Sequence, residues 1–540
     1  MKISLLLILS ISFCFFSCKK DDDDKITQPG TPCATAPSLT TNYASSITET
    51  SAVVSGTIKA PTCDTSLVSQ GFVWAKSASP VLTDSVIEVS GDSISYLLTH
   101  LDFEETYYYR TFFTNTSGTY FGNEVSFLTS PQPSAVYLDS NGVTIKAKSW
   151  ASVGDTGRVN GRLYYVVDES TLRNLVQNNK DLTNRCISLV TNMSNLIKNN
   201  TSFNQPIGSW DVSNVTNMSH LFYGANSFNQ PIGSWDVSNV TSFSSIFGLA
   251  TTFNQPIGNW DVSSATDMHF AFGGARSFNQ SIENWDVSNV TDMSQLFSGA
   301  SSFNQPIGSW NVSKATSFYR LFSGATAFNK PIGSWDVSSV TNMIRMFEGT
   351  SSFNQDISNW DVSSVTDMRS MFENSSAFNQ DVSNWDVSSV TRMGWMFHNS
   401  SAFNQDVSNW DVSSVTDMRN LFENTSAFNQ PIGNWDVSSV TDMRSMFDNS
   451  SAFNQPIGNW DVSSVTRMGW MFHNNSAFNQ NISNWDVSSV TDMASMFREN
   501  SAFNQDISNW DVNSVTQCYN FNLNNSYWTL PKPNFTNCTP

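Results

Sequence analysis

The dominant feature of this sequence is a motif that returns every 25 residues over more than half of the chain. Phe-Asn recurs from Phe203 to Phe503 in 13 copies without an insertion or a deletion, and Trp recurs in step from Trp210 to Trp510. One slip in register would break every inward row of side chains. The constant spacing therefore predicts coils that stack directly on one another and share an aromatic interior.

Each repeat carries two kinds of apolar spacing. Residues 210–212, Trp-Asp-Val, alternate between apolar and polar, which predicts a short strand. Residues 215–222 place apolar side chains at i, i+3, i+6 and i+7, which predicts one face of a short helix. Neither element buries this much aromatic surface alone. We therefore expect a right-handed α/β solenoid, in which stacked Asn side chains, beginning with Asn204, bond to the backbone of the turns.

The repeat also resembles a known family. The spacing Ile207-x-x-Trp210-x-Val212 matches the Leu-x-x-Leu-x-Leu core of leucine-rich repeats, although Val215 stands where that motif has Asn. The longer pattern Phe-Asn-Gln-x-Ile-x-x-Trp-Asp-Val-Ser-x-Val-Thr-x-Met resembles the BspA-like leucine-rich-repeat surface proteins. It is also similar to the 25-residue repeat of mycoplasma-type lipoproteins. The resemblance covers residues 180–517 and implies a leucine-rich-repeat-like fold with a role in surface adhesion or host-protein binding.

The first residues indicate export. Residues 1–17 form a short apolar segment that ends in a small residue before Cys18, and this arrangement resembles a bacterial lipobox. The resemblance implies cleavage before Cys18 and lipidation of that residue. The alternative is an ordinary secretory signal in which Cys18 is incidental. Residues 18–32 are a charged tether that resembles the signal for the outer face of the outer membrane; the alternative is a plain hydrophilic spacer.

Two further regions precede the repeats. Residues 33–130 alternate like the strands of a β-sandwich, and residues 101–110 resemble the fibronectin type III pattern, with Phe and Glu at its Pro and Thr positions. In that family a Tyr bonds to the backbone at a strand corner, which implies this role for Tyr107. Residues 131–179 predict a small β-rich linker domain with an Asn160-Gly161 hairpin turn and a helix from Glu169 to Gln177. Residues 518–540 would form a C-terminal cap.

The cysteines fit an exported chain, in which disulfides are permitted. Cys33 with Cys63 and Cys518 with Cys538 are the local pairs, which leaves Cys186 unpaired. No cysteine spacing resembles a zinc site, and we predict neither a metal nor a cofactor.

The composition narrows the possible partners. The chain has 46 acidic residues against 27 Lys plus Arg, which disfavours nucleic acid and anionic membrane surfaces. The membrane would be reached through the lipid anchor only. No phosphate-binding loop or nucleophile–base arrangement is present in the sequence, so we predict that the protein is not an enzyme, although a pair of carboxylates acting as a glycosidase remains an open alternative.

The Asp of Trp-Asp-Val is present in 12 of 13 repeats, with Asn311 as the exception. A row of carboxylates on stacked coils favours either a cation-binding stripe, such as one for Ca²⁺, or a turn cap in every coil. In the second interpretation each Asp accepts hydrogen bonds from the Ser two residues later. We favour the turn cap, because a residue that is identical in every coil usually serves the coil.

Ligand contacts are expected where the repeats differ. Arg392, Trp395 and His398 would lie on one exposed face of a helix, and Arg467, Trp470 and His473 repeat this pattern three coils later. Exposed Trp and Arg are common anchors of protein interfaces. The alternative is duplication of a three-repeat block, with Trp packed on its neighbours.

The sequence therefore predicts a lipid-anchored outer-membrane protein that displays an adhesive solenoid to a host or extracellular-matrix protein or to a surface glycan. Many equivalent weak contacts would then combine into high avidity. Two alternatives remain open: a structural surface-layer or cell–cell spacer, and a carbohydrate-active surface lipoprotein.

Overall fold

A computed structural model describes residues 36–62 and 66–540. The chain divides into two compact units, one that ends at Pro133 and one that begins at Ser134. The positions of Cys18, Cys33 and Cys63, and the predicted tether, lie outside the described residues. Within the described ranges, no helix is long and apolar enough to span a membrane.

The first unit consists of two antiparallel sheets. Its strands are β1 (Ser38–Thr41), β2 (Ala52–Lys59), β3 (Leu67–Ala75), β4 (Ser85–Glu88), β5 (Ser93–Leu98), β6 (Thr106–Asn115), β7 (Gly118–Phe121) and β8 (Val125–Leu128). One sheet has the order β1-β2-β5, and the other has the order β4-β3-β6-β7 with β8 also paired to β6. Val54, Phe72 and Tyr109, which come from both sheets, are fully buried in one core cluster. This is the packing of a β-sandwich.

The corner bond predicted for Tyr107 is confirmed. Its hydroxyl oxygen accepts a hydrogen bond from the backbone N–H of Asp102 at 2.9 Å. The bond ties the start of β6 to the preceding loop, as in the tyrosine corners of sandwich domains.

The second unit begins with short strands and one helix. These are β9 (Val136–Leu138), β10 (Ile145–Ala147), β11 (Thr156–Val159), β12 (Arg162–Val166), α1 (Glu169–Gln177) and β13 (Arg185–Cys186). The predicted hairpin is confirmed, because Val159 pairs with Arg162 across Asn160 and Gly161, whose φ angles are 50° and 79°. The predicted helix is confirmed as α1, and the carboxylate of Asp168 caps it by accepting from the N–H of Thr171 at 2.8 Å.

Successive repeats lie in register with one another. Thirteen parallel bridges link residues 25 apart, from Asn192 with Asn217 to Asp492 with Gln517. Equivalent rings stack on each other: Trp385 lies 6.4 Å from Trp360, and Phe378 lies 6.2 Å from Phe403. Each buried Trp N–H in this column has an acceptor; Nε1 of Trp385, for example, donates to the carbonyl of Ile357 at 3.2 Å.

The predicted α/β leucine-rich-repeat-like solenoid is nevertheless wrong. Residues 203–525 are described throughout, and none of them belongs to a helix or to an extended strand; α1 is the single helix of the described residues. The predicted strand at Trp-Asp-Val is also wrong, since the bridges between repeats fall seven residues after the Trp, as at Arg392 after Trp385.

Backbone hydrogen bonds explain why the helix is absent. In the repeat that contains Trp395, the N–H groups of Met393, Trp395, Phe397 and Asn399 donate to carbonyls of the next repeat at 2.9–3.1 Å. An α-helix needs those donors for carbonyls four residues earlier within its own segment. The intervening N–H groups close turns, as in the bond from His398 to the carbonyl of Trp395 at 3.1 Å. This segment is therefore a series of turns, in which alternate N–H groups close the turns and the others donate to the next repeat.

The Asn side chains of the turns form the expected row of hydrogen bonds. Oδ1 of Asn379 accepts from the backbone N–H of Asn404 at 2.9 Å and from Nε2 of Gln405 at 3.0 Å. Equivalent bonds recur from Asn204 onward, which confirms the prediction that these side chains bond to the turn backbone.

Both ends of the stacked core are covered. Leu172 of α1 and Leu182 are buried against the first repeats, and Trp528 packs edge-on against Phe503 at 4.8 Å. The Cys518–Cys538 disulfide is present as predicted, with Cα atoms 5.8 Å apart. Cys186 is a free, buried thiol, which agrees with its prediction as the unpaired cysteine.

Candidate functional site

Five columns of positions that differ between repeats form one surface, which we call the variable face. In the repeat that contains Trp395 it comprises residues 392, 394, 395, 398 and 399, and in every other repeat the residues a multiple of 25 away. These residues lie in the segment 392–399, in which every second N–H group, beginning with that of Met393, donates to a carbonyl of the next repeat. Their side chains therefore form columns across the stack, and each residue has neighbours one repeat before and one repeat after it.

The first predicted cluster is held by the repeats on both sides. Arg392 has a side chain 54% exposed and lies 3.6 Å from the carboxylate of Asp367. The guanidinium of Arg419 lies over the ring of Trp395, 4.3 Å from its centroid, in cation–π geometry. His398 lies between two carboxylates, at 3.4 Å from Glu373 and 3.5 Å from Glu423.

The second cluster repeats the arrangement with one difference. Arg467 lies 3.4 Å from the carboxylate of Asp442, and His473 lies 2.7 Å from Asp448. Ala494 stands where Arg419 stands in the first cluster, and the guanidinium of Arg498 lies over the ring of Trp470 instead, 5.9 Å from its centroid. The ring also meets His473 edge-on at 4.8 Å.

The prediction that each set lies on a helical face is wrong, because the segment is not helical. The structure brings Arg and His of each set to carboxylates of adjacent repeats. The duplication that sequence analysis left open as an alternative explains why both sets have equal residues, but not why the Trp rings meet different partners.

Burial and pairing shift the pKa values of the carboxylates around His398 in opposite directions. Burial raises the pKa of Glu423 more than its hydrogen bond from Asn420 lowers it. At Glu373 burial also raises the pKa, but hydrogen bonds from His398 and Ser370 outweigh it and the net shift is downward. As the pH falls, Glu423 is therefore protonated before Glu373.

The backbone of the Trp residues is unusual. Trp395 and Trp470 have φ angles of 61° and 63°, in the left-handed region that Gly and Asn normally occupy. Phe270 occupies the same column with a φ of 53°. A bulky residue in this conformation costs about 1–2 kcal/mol relative to glycine, so these positions are occupied by large side chains at the expense of stability.

A second aromatic group, which was not predicted from the sequence, lies near the start of the stacked repeats. Tyr223 lies 5.6 Å from His220 and 6.4 Å from Phe270, and the ammonium of Lys198 lies 5.4 Å from the Tyr223 ring. The ring of Phe270 rests on Gly248 and Gly273, where a Cβ would approach it within 3 Å. The signal was available, because all of these residues occupy the same variable columns as the two predicted clusters.

The Asp column of Trp-Asp-Val consists of turn caps, as favoured from the sequence. Oδ1 of Asp386 accepts from the backbone N–H of Ser388 at 3.0 Å and from its hydroxyl at 2.6 Å. The bond from the Ser hydroxyl is the largest cause of the lowered pKa of Asp386. Asn311 accepts the same two bonds from Ser313, at 3.2 and 2.8 Å. Across the described ranges, no cluster of three or more His, Cys, Asp or Glu side chains could hold a metal ion.

Comparison with protein families gives one match. The model described as "Mycoplasma protein of unknown function, DUF285" matches residues 168–285, 266–380, 345–457 and 420–527. Together these overlapping matches cover 168–527, two thirds of the chain. The chain belongs to the DUF285 family. The DUF285 match confirms the repeat family at the level of its 25-residue period. Comparisons with curated proteins and with solved structures found no match.

Proposed function

We propose that this DUF285 protein is a surface-displayed binding protein of the BspA-like type, and that its variable face carries the binding site. In this proposal the chain is anchored by lipid at Cys18 and faces the exterior from the outer membrane. It binds a host or extracellular-matrix protein or a surface glycan, and it has no catalytic role.

One observation carries the proposal. Between residues 353 and 517 every cationic residue lies in the variable columns, whereas the remaining exposed columns carry none. The cations are Arg369, Arg392, Arg419, Arg444, Arg467 and Arg498, together with His398 and His473. Repeats that served only as spacers would have no reason to place the cations of this region and two additional Trp residues in the same columns.

The pairing of these cations supports a pre-organised surface. Arg444 donates to both oxygens of Asp442 at 3.0 and 2.8 Å, and Arg369 binds Asp367 in the same way. Side chains held in this manner lose little further rotational freedom when a partner binds, so more of the contact energy appears as affinity.

The binding test uses the full chain against immobilised matrix proteins and surface glycans. We expect the double variant Trp395→Ala/Trp470→Ala to lose about tenfold or more in affinity, because interface Trp residues commonly contribute more than 1.4 kcal/mol each. Trp150→Ala is the matched control, since Trp150 is 52% exposed and lies outside the repeats. Equal binding by the double variant and the control would contradict the proposal and favour the spacer alternative.

The anchor is tested separately by Cys18→Ser. We expect the wild-type chain in a membrane fraction with incorporated fatty acid, and the variant without it. If wild-type cells show no fatty acid on this chain, the proposed anchor is wrong.

A further inference from the structure

The first segment of the stack, residues 192–199 (the first rung), has backbone carbonyls that accept no N–H group from an earlier repeat, because no repeat precedes it. In the interior each of these groups accepts an N–H from the repeat before it, as the carbonyl of Leu221 accepts from Ile197 at 3.0 Å. The equivalent carbonyls of the first rung belong to Asn192, Ser194, Leu196 and Lys198. Helix α1 precedes this rung in place of another repeat.

Arg173 of α1 takes two of these four acceptors. Its guanidinium donates to the carbonyl of Ser194 at 3.0 Å and to that of Asn192 at 3.3 Å, and Glu169 holds it at 2.9 Å. The Arg173 side chain thus supplies two of the four hydrogen bonds that the backbone N–H groups of a preceding repeat would supply. Within the described part of the chain, no donor reaches the carbonyls of Leu196 and Lys198.

Leu196 and Lys198 line a cavity of about 490 Å³ between α1 and the first rung. Its other lining residues include Gln177, Asn179, Asn195 and Asn199, all of which are exposed. The volume is within the range of small-molecule sites. The lining is mainly polar, so an apolar ligand would not be favoured.

The chemistry of the lining narrows the ligand. Side-chain amides supply both donors and acceptors, Lys198 and Arg173 supply donors, and the open carbonyls supply acceptors. No carboxylate lines the cavity, although acidic residues outnumber basic ones in this chain. Lys198 also connects the cavity to an aromatic ring, since its ammonium lies 5.4 Å from the ring of Tyr223.

We propose that this cavity is a carbohydrate-binding site, distinct from the clusters at Trp395 and Trp470. Hydroxyl groups both donate and accept hydrogen bonds. A sugar ring therefore donates to the carbonyls of Leu196 and Lys198 and accepts from the amides of Gln177 and Asn179. Amide–hydroxyl bonds of this kind are lost together if the cavity is filled.

The experiment measures binding of the full chain to defined neutral monosaccharides and disaccharides of glucose, galactose and N-acetylglucosamine by ligand-observed NMR and calorimetry. Gln177→Trp fills the cavity from the end of α1. Asn174→Trp is the matched control, because Asn174 is exposed on the same helix and does not line the cavity. We expect at least one saccharide to bind, Gln177→Trp to weaken it by about tenfold or more, and Asn174→Trp to leave it unchanged.

A second readout separates binding from folding. Saccharide should shift the side-chain amide resonances of Gln177 and Asn179 in the wild-type chain, and Trp150→Ala, outside the repeats, should bind it with unchanged affinity. Failure of every saccharide to bind would overturn the proposal, as would equal binding by Gln177→Trp and Asn174→Trp. Asn195, Lys198 and Asn199 belong to the variable columns, but the site does not include the clusters at Trp395 and Trp470. Loss of saccharide binding here and loss of binding at those clusters are therefore distinguishable.

Discussion

The repeats before and after residue 350 share one aromatic core but differ in polar chemistry beside it. In the earlier half a buried column is Ala, from Ala225 to Ala325, and the residue before it is usually Gly. In the later half the buried column is Thr, Ser or Asn, from Thr350 to Asn500, and the residue before it is Asn from 374 to 474. Both halves keep the same register of bridges.

The difference shows which contacts the stack requires and which it tolerates. The hydroxyls of the later half donate to a Phe carbonyl 28 residues earlier, as from Thr350 to Phe322 at 2.9 Å. That carbonyl already accepts the N–H of Ala325 at 2.9 Å, so the hydroxyl adds a second bond to the remaining lone pair. Asn in the later half also forms side-chain rows, as between Asn424 and Asn399 at 2.8 Å. Ring packing and register are therefore common to both halves, whereas the edge chemistry is free to vary.

Removal of a stacked Phe ring should have the largest effect on stability, and the effect should be similar in both halves. Phe297→Ala and Phe397→Ala each remove a fully buried ring that stacks on the next Phe at 4.0 and 3.8 Å. We expect each to lower the free energy of unfolding by about 3–5 kcal/mol, measured by urea denaturation. If one variant lost less than about 50% of the unfolding free energy that the other lost, the two halves would not share a common core.

A substitution in the column of Gly324 and Asn424, where the backbone has a positive φ angle, should have the next largest effect on stability. Gly324 has a φ of 71°, and a Cβ there would make only ordinary contacts, 3.5 Å to the Cα of Gly299. Gly324→Ala should therefore cost about 1–2 kcal/mol from backbone strain alone. Gly324→Asn should cost less, since Asn424 has a φ of 55°. Equal costs for Ala and Asn in thermal denaturation would show that conformation does not select this column.

Exchange of the buried column tests whether its two chemistries are interchangeable. Ser400→Ala removes the hydroxyl bond to the carbonyl of Phe372, at 2.5 Å, and should cost about 0.5–1.5 kcal/mol. Ala300→Ser should cost less than about 1 kcal/mol, because the carbonyl of Phe272 is available at the equivalent place. A cost near 3 kcal/mol for Ala300→Ser, measured by urea unfolding, would mean that the earlier half cannot accommodate the hydroxyl.

The smallest effect concerns acid and should again be equal in both halves. Hydrogen bonds from Ser lower the pKa values of Asp286 and Asp386 below the ordinary 3.8. Their contribution to stability is therefore fully present above pH 3.8 and is lost as the pH falls through the lower folded-state value. Asp386→Asn should leave the urea midpoint at pH 7 nearly unchanged, because Asn311 accepts the same bonds, and should slightly reduce the fall at low pH. A large loss at pH 7 would show that the charge itself is required.

The columns of the candidate site could be proposed from the sequence alone. Constant residues such as Asp386 serve the turn, so variation between repeats points to the columns of Arg392, Trp395 and His398, whose role in binding stays a prediction. Their partners were not predictable, because Glu373 and Glu423 lie 25 residues away on either side of His398. The cavity beside α1 was also inaccessible from sequence, since it depends on Arg173 replacing only two of four donors.

The sequence by itself determined that successive repeats lie in register, because a constant 25-residue spacing of Phe and Trp is compatible with few other ways to bury those rings. It also determined the hairpin at Asn160-Gly161, helix α1 and the Cys518–Cys538 pairing. Only the tertiary structure decided the backbone of the repeat. Apolar residues at i, i+3, i+6 and i+7 fit both a helix and a series of turns. Which of the two forms depends on the acceptors that the backbone N–H groups find. Once a neighbouring repeat offers carbonyls, as Arg419 does to Trp395 at 2.9 Å, those donors bond between repeats rather than along the chain.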